Sequence, residues 1–250
     1  MTPVTREGYK FCQQICIPCY QTDIHLRLKP AAFMDLAQEI AYWAAQELGF
    51  GYDTLHIHHT AWVLSRMHIR FHDIPQWRDQ VKLFTWHKGS AGLYYMRDFL
   101  LLDASGTPRI SATSSWVVID EQTRRLVRPE ELSHLLHIDY QVDNAIEEPC
   151  PKAALPKGAE PQLSGEHVAA YSDIDLIGHT NNARYMVWAM DAIPLEYVQA
   201  HSVKDAYITF NKETTAGSRV QLYTLQEQEN VWYVEGRVED KPHFVVRLEF

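Results

Sequence analysis

The sequence has no long hydrophobic run, and this absence argues against a protein that crosses a membrane with helices. No stretch approaches the roughly 20 consecutive apolar residues that a transmembrane helix needs. The first residues, Met-Thr-Pro-Val-Thr-Arg-Glu-Gly-Tyr-Lys, contain no apolar segment like that of a signal peptide. We therefore expect a cytoplasmic protein with no membrane partner.

Positive charge is also scarce. The chain has 23 Lys and Arg residues against 32 Asp and Glu residues, for a net charge of −9. Proteins that bind nucleic acid usually present a basic surface, so we expect no nucleic-acid partner. With 46% apolar and 22% charged residues, the composition is that of a globular protein, and 250 residues suffice for one large or two small domains.

Cysteine is rare, with four residues in the chain. Cys12, Cys16 and Cys19 have the Cys-x-x-x-Cys-x-x-Cys spacing that radical-SAM enzymes use for an iron–sulfur cluster. Such a site needs repeated strand–helix units, which do not follow. Buried free thiols in an extended segment, residues 11–28, are therefore the favoured interpretation. The histidines of Leu55-His-Ile-His-His59 lie where a loop enters a strand and have no evident partner ligands. We expect no metal, no cofactor and no disulfide.

The most informative stretch is a polar segment followed by an apolar helix, Tyr171-Ser-Asp-Ile-Asp-Leu-Ile-Gly-His-Thr-Asn-Asn-Ala-Arg-Tyr185. Asn181 and Asn182 are good N-cap residues, and the residues after them are apolar on nearly all sides, which predicts a buried helix. Asp175 and His179 then precede a helix N-terminus, where free N–H groups can stabilise an oxyanion. An isolated Asp or His would more simply cap the helix, but the whole pattern favours a catalytic site.

The second half of the chain repeats the first. Asp79-Gln-Val-Lys-Leu-Phe-Thr85 aligns with Ser218-Arg-Val-Gln-Leu-Tyr-Thr224, an offset of 139 positions (220 − 81 for the valines). Phe33-Met34 aligns with Tyr185-Met186 at an offset of 152 (185 − 33). Two tandem units of related sequence predict an internal pseudo-dimer.

Each half shows a strand, a buried helix and several antiparallel strands, which predicts an α+β fold. In the first half we predict a helix between Pro30 and Gly49. The predicted strands cover residues 62–71, 81–86, 93–102 and 110–119, and a short amphipathic piece lies near residues 132–136. The predicted units are an N-terminal domain (1–145), a linker (146–165) and a C-terminal domain (166–250).

The pattern Asp-x-Asp-x-x-Gly-His-x-Asn-Asn-x-x-Tyr resembles the active-site segment of hotdog-fold thioesterases. Two tandem units with this segment only in the second are similar to the acyl-ACP thioesterases of bacteria and plastids. Further matching segments are Pro75-Gln-Trp-Arg-Asp-Gln-Val-Lys-Leu-Phe-Thr-Trp86, Met96-Arg-Asp-Phe-Leu100, Ala112-Thr-Ser-Ser-Trp-Val-Val-Ile-Asp120 and Thr123-Arg-Arg-Leu126. The resemblance implies two tandem hotdog folds, each a long helix wrapped by an antiparallel sheet. It also implies hydrolysis of fatty acyl-ACP to free fatty acid and holo-ACP in fatty acid biosynthesis, and a homodimer.

The resemblance also implies a catalytic set of Asp175, His179 and Glu213. The family's Asp-x-Asn-x-His segment lies over Asp175–His179, with Ile177 in place of the Asn. Its Glu-Cys pair lies over Glu213 and Thr214, which excludes a cysteine nucleophile there. Asp175 and Glu213 would then form the acid–base pair around the attacking water, with His179 orienting one of them and the amides near Asn181 and Asn182 holding the oxyanion.

By the same resemblance, the acyl chain lies in the first unit and the acyl carrier protein is the partner. The candidate pocket residues are Phe33, Leu36, Ile40, Trp43, Trp62, Leu64 and Met67, although most residues of an apolar stripe simply form core. The carrier is acidic and would need a local basic face on a chain of charge −9. Candidate clusters are Arg124, Arg125 and Arg128, or Arg184, Lys204 and Lys212.

Three other functions compete with this prediction. An acyl-CoA thioesterase of the same fold would use the same phosphopantetheine arm. An acyl-binding protein on an inactive scaffold is suggested by Ile177. A hotdog dehydratase is the weakest of the three, since its His and Glu/Asp arrangement on the helix is not visible.

Overall fold

The computed structural model describes residues 3–132 and 142–250. Within these ranges one antiparallel sheet of twelve strands wraps two central helices. The helices are α1 Pro30–Glu47, α2 Tyr52–Ile57, α3 Asn182–Ala192 and α4 Leu195–Ala200. The strands are β1 Thr5–Glu7, β2 Lys10–Cys16, β3 Thr60–Phe71, β4 Gln80–Ala91, β5 Tyr94–Asp103, β6 Pro108–Asp120, β7 Leu126–Val127, β8 Gln162–Val168, β9 Asp205–Phe210, β10 Arg219–Gln228, β11 Val231–Val238 and β12 Lys241–Glu249. Their order in the sheet is β1-β2-β4-β5-β6-β3-β9-β12-β11-β10-β8, with β7 paired to β6.

The first central helix, α1, begins and ends where the sequence predicts. Pro30 occupies its first turn, where the missing N–H needs no partner. Gly49 follows the last turn at φ +80°, a left-handed conformation that glycine adopts without strain. Phe33 and Ile40 are fully buried on the core side. Burial of each such side chain contributes about 1.5–3 kcal/mol.

The second central helix, α3, is short and almost entirely enclosed. Asn181 caps it, because its side-chain oxygen accepts the N–H of Ala183. Tyr185, Met186 and Trp188 are buried against the second half of the sheet. This burial on several faces confirms the helix predicted from the apolar pattern.

The two halves meet across β3 and β9 in a pseudo-twofold manner. Met67 pairs with Ile208 and Ile69 pairs with Ala206. The repeat offset of 139 converts the first pair into the second: Met67 corresponds to position 206 (67 + 139), and Ile208 corresponds to position 69 (208 − 139). The internal repeat is therefore confirmed, and the architecture is two tandem hotdog folds that share one sheet and one continuous core.

Some sequence-based boundaries need correction. Residues 52–57 form the helix α2 rather than a loop that enters a strand, so the histidines there lie on or beside a helix. The extended segment predicted for 11–28 ends at Cys16. Strand β8 begins at Gln162, inside the range predicted as linker, because it pairs with β10. The amphipathic piece near 132–136 lies almost wholly outside the described residues.

The cysteines also differ from expectation. Cys12 is buried in β2, whereas Cys16 and Cys19 are exposed, so only the first behaves as the buried thiol that was predicted. Position along the strand explains this difference, because Cys12 packs against the neighbouring Phe84 and Trp86, whereas Cys16 is the last residue of β2.

Candidate active site

A tight loop between Ile174 and Thr180 holds two of the predicted catalytic side chains. The two end residues form a β-bridge, and the Asp175 N–H donates to the His179 carbonyl at 2.9 Å. Gly178 closes the turn at φ +80° and donates its N–H to the Asp175 carbonyl at 3.0 Å. The backbone thus presents Asp175 and His179 from opposite arms of one loop, and both side chains line the same cavity.

The carboxylate of Asp175 is partly removed from water. Its Oδ1 accepts the N–H of Ile177 at 3.1 Å. Burial raises the pKa of Asp175, and the backbone N–H groups and the nearby His179 only partly oppose that effect. A carboxylate with a raised pKa is a better proton acceptor than an ordinary surface aspartate.

Glu213 enters the same site from the end of β9. The Thr180 N–H donates to the Thr214 carbonyl at 2.9 Å, which ties the Glu213 turn to the loop. Glu213 Oε2 lies 3.5 Å from His179 Nε2. The structure therefore places Asp175, His179 and Glu213 around one cavity mouth.

An arginine from the first half completes this group. Arg124 Nη2 donates to Glu213 Oε2 at 2.5 Å, although 89 positions separate the two residues. The turn before it is held by Asp120 Oδ1, which accepts the Gln122 and Thr123 N–H groups. In the sequence, Arg124 stands out only as part of a family segment and of a candidate carrier-binding cluster, and neither pattern predicts its place beside Glu213.

The two departures from the family pattern differ in their surroundings. Ile177 is 48% exposed and lines the cavity, so an apolar side chain occupies the position of the family's amide. Thr214 is fully buried, with its hydroxyl 2.9 Å from His243 Nδ1 and its N–H donating to the Tyr185 hydroxyl at 3.1 Å. These two hydrogen bonds of Thr214 stabilise the turn that contains Glu213, and Thr214 does not line the cavity.

The start of α3 offers one amide to a ligand. The Asn181 N–H donates to the Asp173 carbonyl at 2.8 Å, and the Ala183 N–H donates to Asn181 Oδ1 at 2.9 Å. In the part of the chain that the structure describes, the N–H of Asn182 has no partner, and Asn182 lines the cavity.

The cavity, of about 260 Å³, extends from these groups into the first hotdog between α1 and the sheet. Its helical wall is formed by Gln38, Ala41, Tyr42 and Ala45, and small side chains there leave room beside the helix. Of the predicted pocket residues, Trp62 lines the cavity. The other six do not line it; they are the core residues Phe33, Ile40, Leu64 and Met67, the partly buried Leu36 and the exposed Trp43. The apolar stripe chosen from the sequence packs against the core, and the cavity lies along a neighbouring face of the helix.

The cationic side chains of the two candidate carrier-binding clusters are dispersed. Arg125, Arg128 and Lys212 are exposed, whereas Arg124 is bonded to Glu213. Arg184 pairs with Asp35 at 3.2 Å, and Lys204 Nζ donates to the Phe250 carbonyl at 3.2 Å.

Residues 3–132 and 142–250 contain no group of three or more His, Cys, Asp or Glu side chains arranged to hold a metal ion. None of the helices there has the length and apolar character needed to cross a membrane.

Known proteins are similar to this chain in sequence and in fold. The chain is 28% identical over 244 residues to oleoyl-acyl carrier protein thioesterase 2, chloroplastic, of Arabidopsis thaliana. The aligned region covers 90% of this chain and 65% of the plant protein. It is 26% identical over 249 residues to a chloroplastic oleoyl-acyl carrier protein thioesterase of Coriandrum sativum, with 90% and 64% covered. The chain thus spans just under two thirds of the length of these relatives.

Solved structures show the same architecture over nearly the whole chain. An acyl-ACP thioesterase from Bacteroides thetaiotaomicron superimposes with a TM-score of 0.83 at 26% identity, covering 97% of this chain and 98% of that one. A 12:0-ACP thioesterase from Umbellularia californica, 22% identical, shares the fold with a TM-score of 0.86 and 98% of each chain covered.

The family assignment rests on both halves. The acyl-ACP thioesterase N-terminal domain matches residues 8–135, and the acyl-ACP thioesterase C-terminal domain matches residues 159–241. The chain belongs to the acyl-ACP thioesterase family.

Proposed function

We propose that the protein hydrolyses the thioester of fatty acyl-acyl carrier protein, releasing the fatty acid and holo-ACP in fatty acid biosynthesis. The observation that carries this proposal is the cavity that has Asp175, His179 and Glu213 at its mouth and an apolar interior within the first hotdog. An acyl chain fits the interior while its thioester meets the polar groups. We propose the N-terminal unit (1–145) as the acyl-binding half and the C-terminal unit (166–250) as the catalytic half, with residues 146–165 connecting them.

The geometry suggests a division of roles between the two carboxylates. Glu213 accepts a hydrogen bond from the Arg124 guanidinium, which holds the position of the carboxylate. Asp175 has no such cation on its oxygens among the described residues, and burial raises its pKa. We therefore assign the general base to Asp175, with Glu213 and Arg124 fixing the position of His179.

The proposed reaction needs no covalent enzyme intermediate. The water oxygen attacks the thioester carbonyl carbon, and the water transfers a proton to the Asp175 carboxylate. The resulting oxyanion accepts the N–H of Asn182 at the start of α3, a type of contact worth about 10²–10³ in rate. The C–S bond then breaks, and the sulfur leaves as a thiol with the proton held by Asp175.

The carrier, the location and the assembly are further parts of the proposal. The partner would be acyl carrier protein, docked so that its phosphopantetheine arm reaches the mouth beside the exposed Arg125 and Arg128. We also propose a homodimer, on the basis of family membership, and a cytoplasmic location.

The decisive test is thiol release from a panel of acyl-ACPs and matched acyl-CoAs by the wild type and Asp175→Asn. We expect faster release from the carrier substrates and its loss in the variant. Faster release from CoA at every chain length would replace the carrier assignment with an acyl-CoA thioesterase.

A binding protein is the second candidate, and Ile177 is the observation that favours it. Its apolar side chain replaces a family amide at the cavity wall. This candidate predicts retention of acyl-ACP with no thiol release, so release that disappears in Asp175→Asn would exclude it.

A further inference from the structure

The cavity contains a buried positive charge that the proposed reaction does not use. Arg97 lies in β5 directly opposite His87 of β4 and Ser114 of β6, and its side chain lines the cavity. Only 6% of the residue is exposed. A guanidinium is an unusual group for the interior of a pocket that takes an apolar chain.

This charge lacks a counter-ion in the described part of the chain. Its only hydrogen bond there runs from Nη1 to the Thr85 hydroxyl at 3.1 Å. Asp98, the next residue, points to the other face of β5 and pairs with Lys88 at 3.0 Å. A buried cation without an anionic partner is costly, which makes it a strong binding group for an anion that can reach it.

The side chains next to Arg97 do not supply the missing charge. His87 lines the same wall, and burial beside Arg97 lowers its pKa to about 3, so the ring is neutral. Its Nδ1 accepts the Gly89 N–H at 3.0 Å, which leaves the ring proton on Nε2. Burial lowers the pKa of Arg97 to about 10, so the guanidinium stays charged at neutral pH.

Arg97 is remote from the thioester end of the cavity. Arg124 follows the end of β6 at Asp120, whereas Arg97 pairs with Ser114 of the same strand. Ser114 and Asp120 are six positions apart along β6 (120 − 114), which corresponds to about 20 Å at 3.3 Å per residue. A group that reaches Arg97 must therefore sit toward the far end of a bound acyl chain.

We propose that Arg97 forms a subsite for a carboxylate at the far end of the acyl chain, so that the protein selects thioesters of dicarboxylic acids over methyl-ended chains of similar length. This inference rests on the proposed function and specifies its substrate class. The planar guanidinium matches a carboxylate in two parallel hydrogen bonds. The walls between the mouth and Arg97, such as Trp62 and Ala41, contact the methylene groups.

The test compares matched pairs of acyl-ACPs from hexanoyl and hexanedioyl to tetradecanoyl and tetradecanedioyl. We expect wild type to show the higher kcat/KM on the dicarboxylic member at the best chain length. Arg97→Met should shift the ratio toward the methyl-ended member by about tenfold or more, and Arg97→Lys by less, since lysine keeps the charge without the fork. Arg66→Met is the matched control, because Arg66 lies outside the cavity lining and bonds to the Tyr94 hydroxyl, and its ratio should equal that of wild type.

A binding measurement separates this inference from the proposed hydrolysis and from misfolding. Asp175→Asn is titrated with each acyl-ACP pair by calorimetry, and tighter binding of the dicarboxylic member supports the subsite even where wild type releases no thiol. If wild type hydrolyses methyl-ended chains better at every length, or Asp175→Asn binds both members equally, the subsite is excluded and Arg97 only supports Thr85.

Discussion

The loop that holds Asp175 has a counterpart in the first half of the chain, 152 positions earlier. Thr22 and Leu28 form the same β-bridge as Ile174 and Thr180. Asp23 stands in the position of Asp175 (175 − 23 = 152). The Asp23 N–H donates to the carbonyl four residues later at 2.8 Å, against 2.9 Å in the second half, and both loops close with a residue of positive φ.

The side chains around the two aspartates differ. Arg27 stands in the place of His179, and its Nε donates to Asp23 Oδ2 at 2.8 Å. Ile74 stands in the place of Glu213, at the offset of 139 (213 − 74). These residues line a second cavity, of about 980 Å³, on the other side of the helix pair.

The start of the following helix differs as well. Pro30 occupies the position of Asn182, so the first-half helix has no N–H at the point where an oxyanion would bind. The repeat therefore supplies the loop geometry twice, whereas catalysis needs the imidazole, the second carboxylate and the free amide together. We therefore expect one working site in the chain.

Replacement of Asp175 and of Asp23 by asparagine should have very different effects on kcat. Asp175→Asn should lower kcat by about 10²–10⁴-fold, because it removes the proposed base while Oδ1 still accepts the Ile177 N–H. Asp23→Asn should keep wild-type kcat and lose about 0.5–1 kcal/mol of stability with its Arg27 ion pair. Thiol release and chemical denaturation of both variants check this pair. Equal losses of activity would contradict the assignment of a single site.

The second carboxylate gives the next largest contrast. Glu213→Gln should reduce kcat by about 10²-fold, since His179 and Arg124 lose the anion that positions them. Arg124→Gln should reproduce part of that loss. Ile74→Val, at the counterpart position, is the control and should have wild-type kcat on the same acyl-ACP. A wild-type kcat in Glu213→Gln would show that Glu213 has no role in the reaction.

The sequence predicts much of this comparison because the repeat has no gaps within each matched block. The offsets found at Val81 and Phe33 already align Asp23 with Asp175 and Ile74 with Glu213. The motif around Asp175 likewise predicts a loop before a buried helix, which the structure contains.

Three-dimensional packing accounts for what the sequence did not predict. Arg124 reaches Glu213 across 89 positions through a turn at φ +60°, and no local pattern encodes that approach. The face of α1 beside the cavity, with Ala41 and Ala45, could not be chosen because apolar residues occur on several faces of that helix. Arg97 belongs to a matched family segment, but its position inside the cavity depends on the pairing of β4 with β5.

The pH dependence of kcat/KM and of stability should also distinguish Asp175 from Asp23. Burial raises the pKa of Asp175, and its charged form is the proposed base, so kcat/KM should fall with decreasing pH from above the ordinary aspartate value of about 3.9. The same raised pKa means that the folded state favours the protonated form. Its contribution to stability is present at low pH and is lost as pH rises through the folded-state pKa.

At neutral pH, Asp175→Asn should therefore raise Tm although it lowers kcat, and Asp23→Asn should lower Tm. A pH profile of kcat/KM and thermal melts at two pH values measure both effects. Asp23→Asn should leave the acidic limb of the profile unchanged. An acidic limb at or below the ordinary aspartate value would contradict Asp175 as the buried base.

The smallest effect concerns the residues that precede the two central helices. Asn181→Ala removes the side-chain bond to the Ala183 N–H and should cost about 1 kcal/mol in the free energy of unfolding. Lys29→Ala, 152 positions earlier, should change it by less than about 0.5 kcal/mol, because Lys29 makes no side-chain cap and Pro30 has no N–H to satisfy. Urea titrations of both variants measure the difference. Equal costs would mean that α1 and α3 begin by the same mechanism, and the cap at Asn181 would then not distinguish the catalytic half.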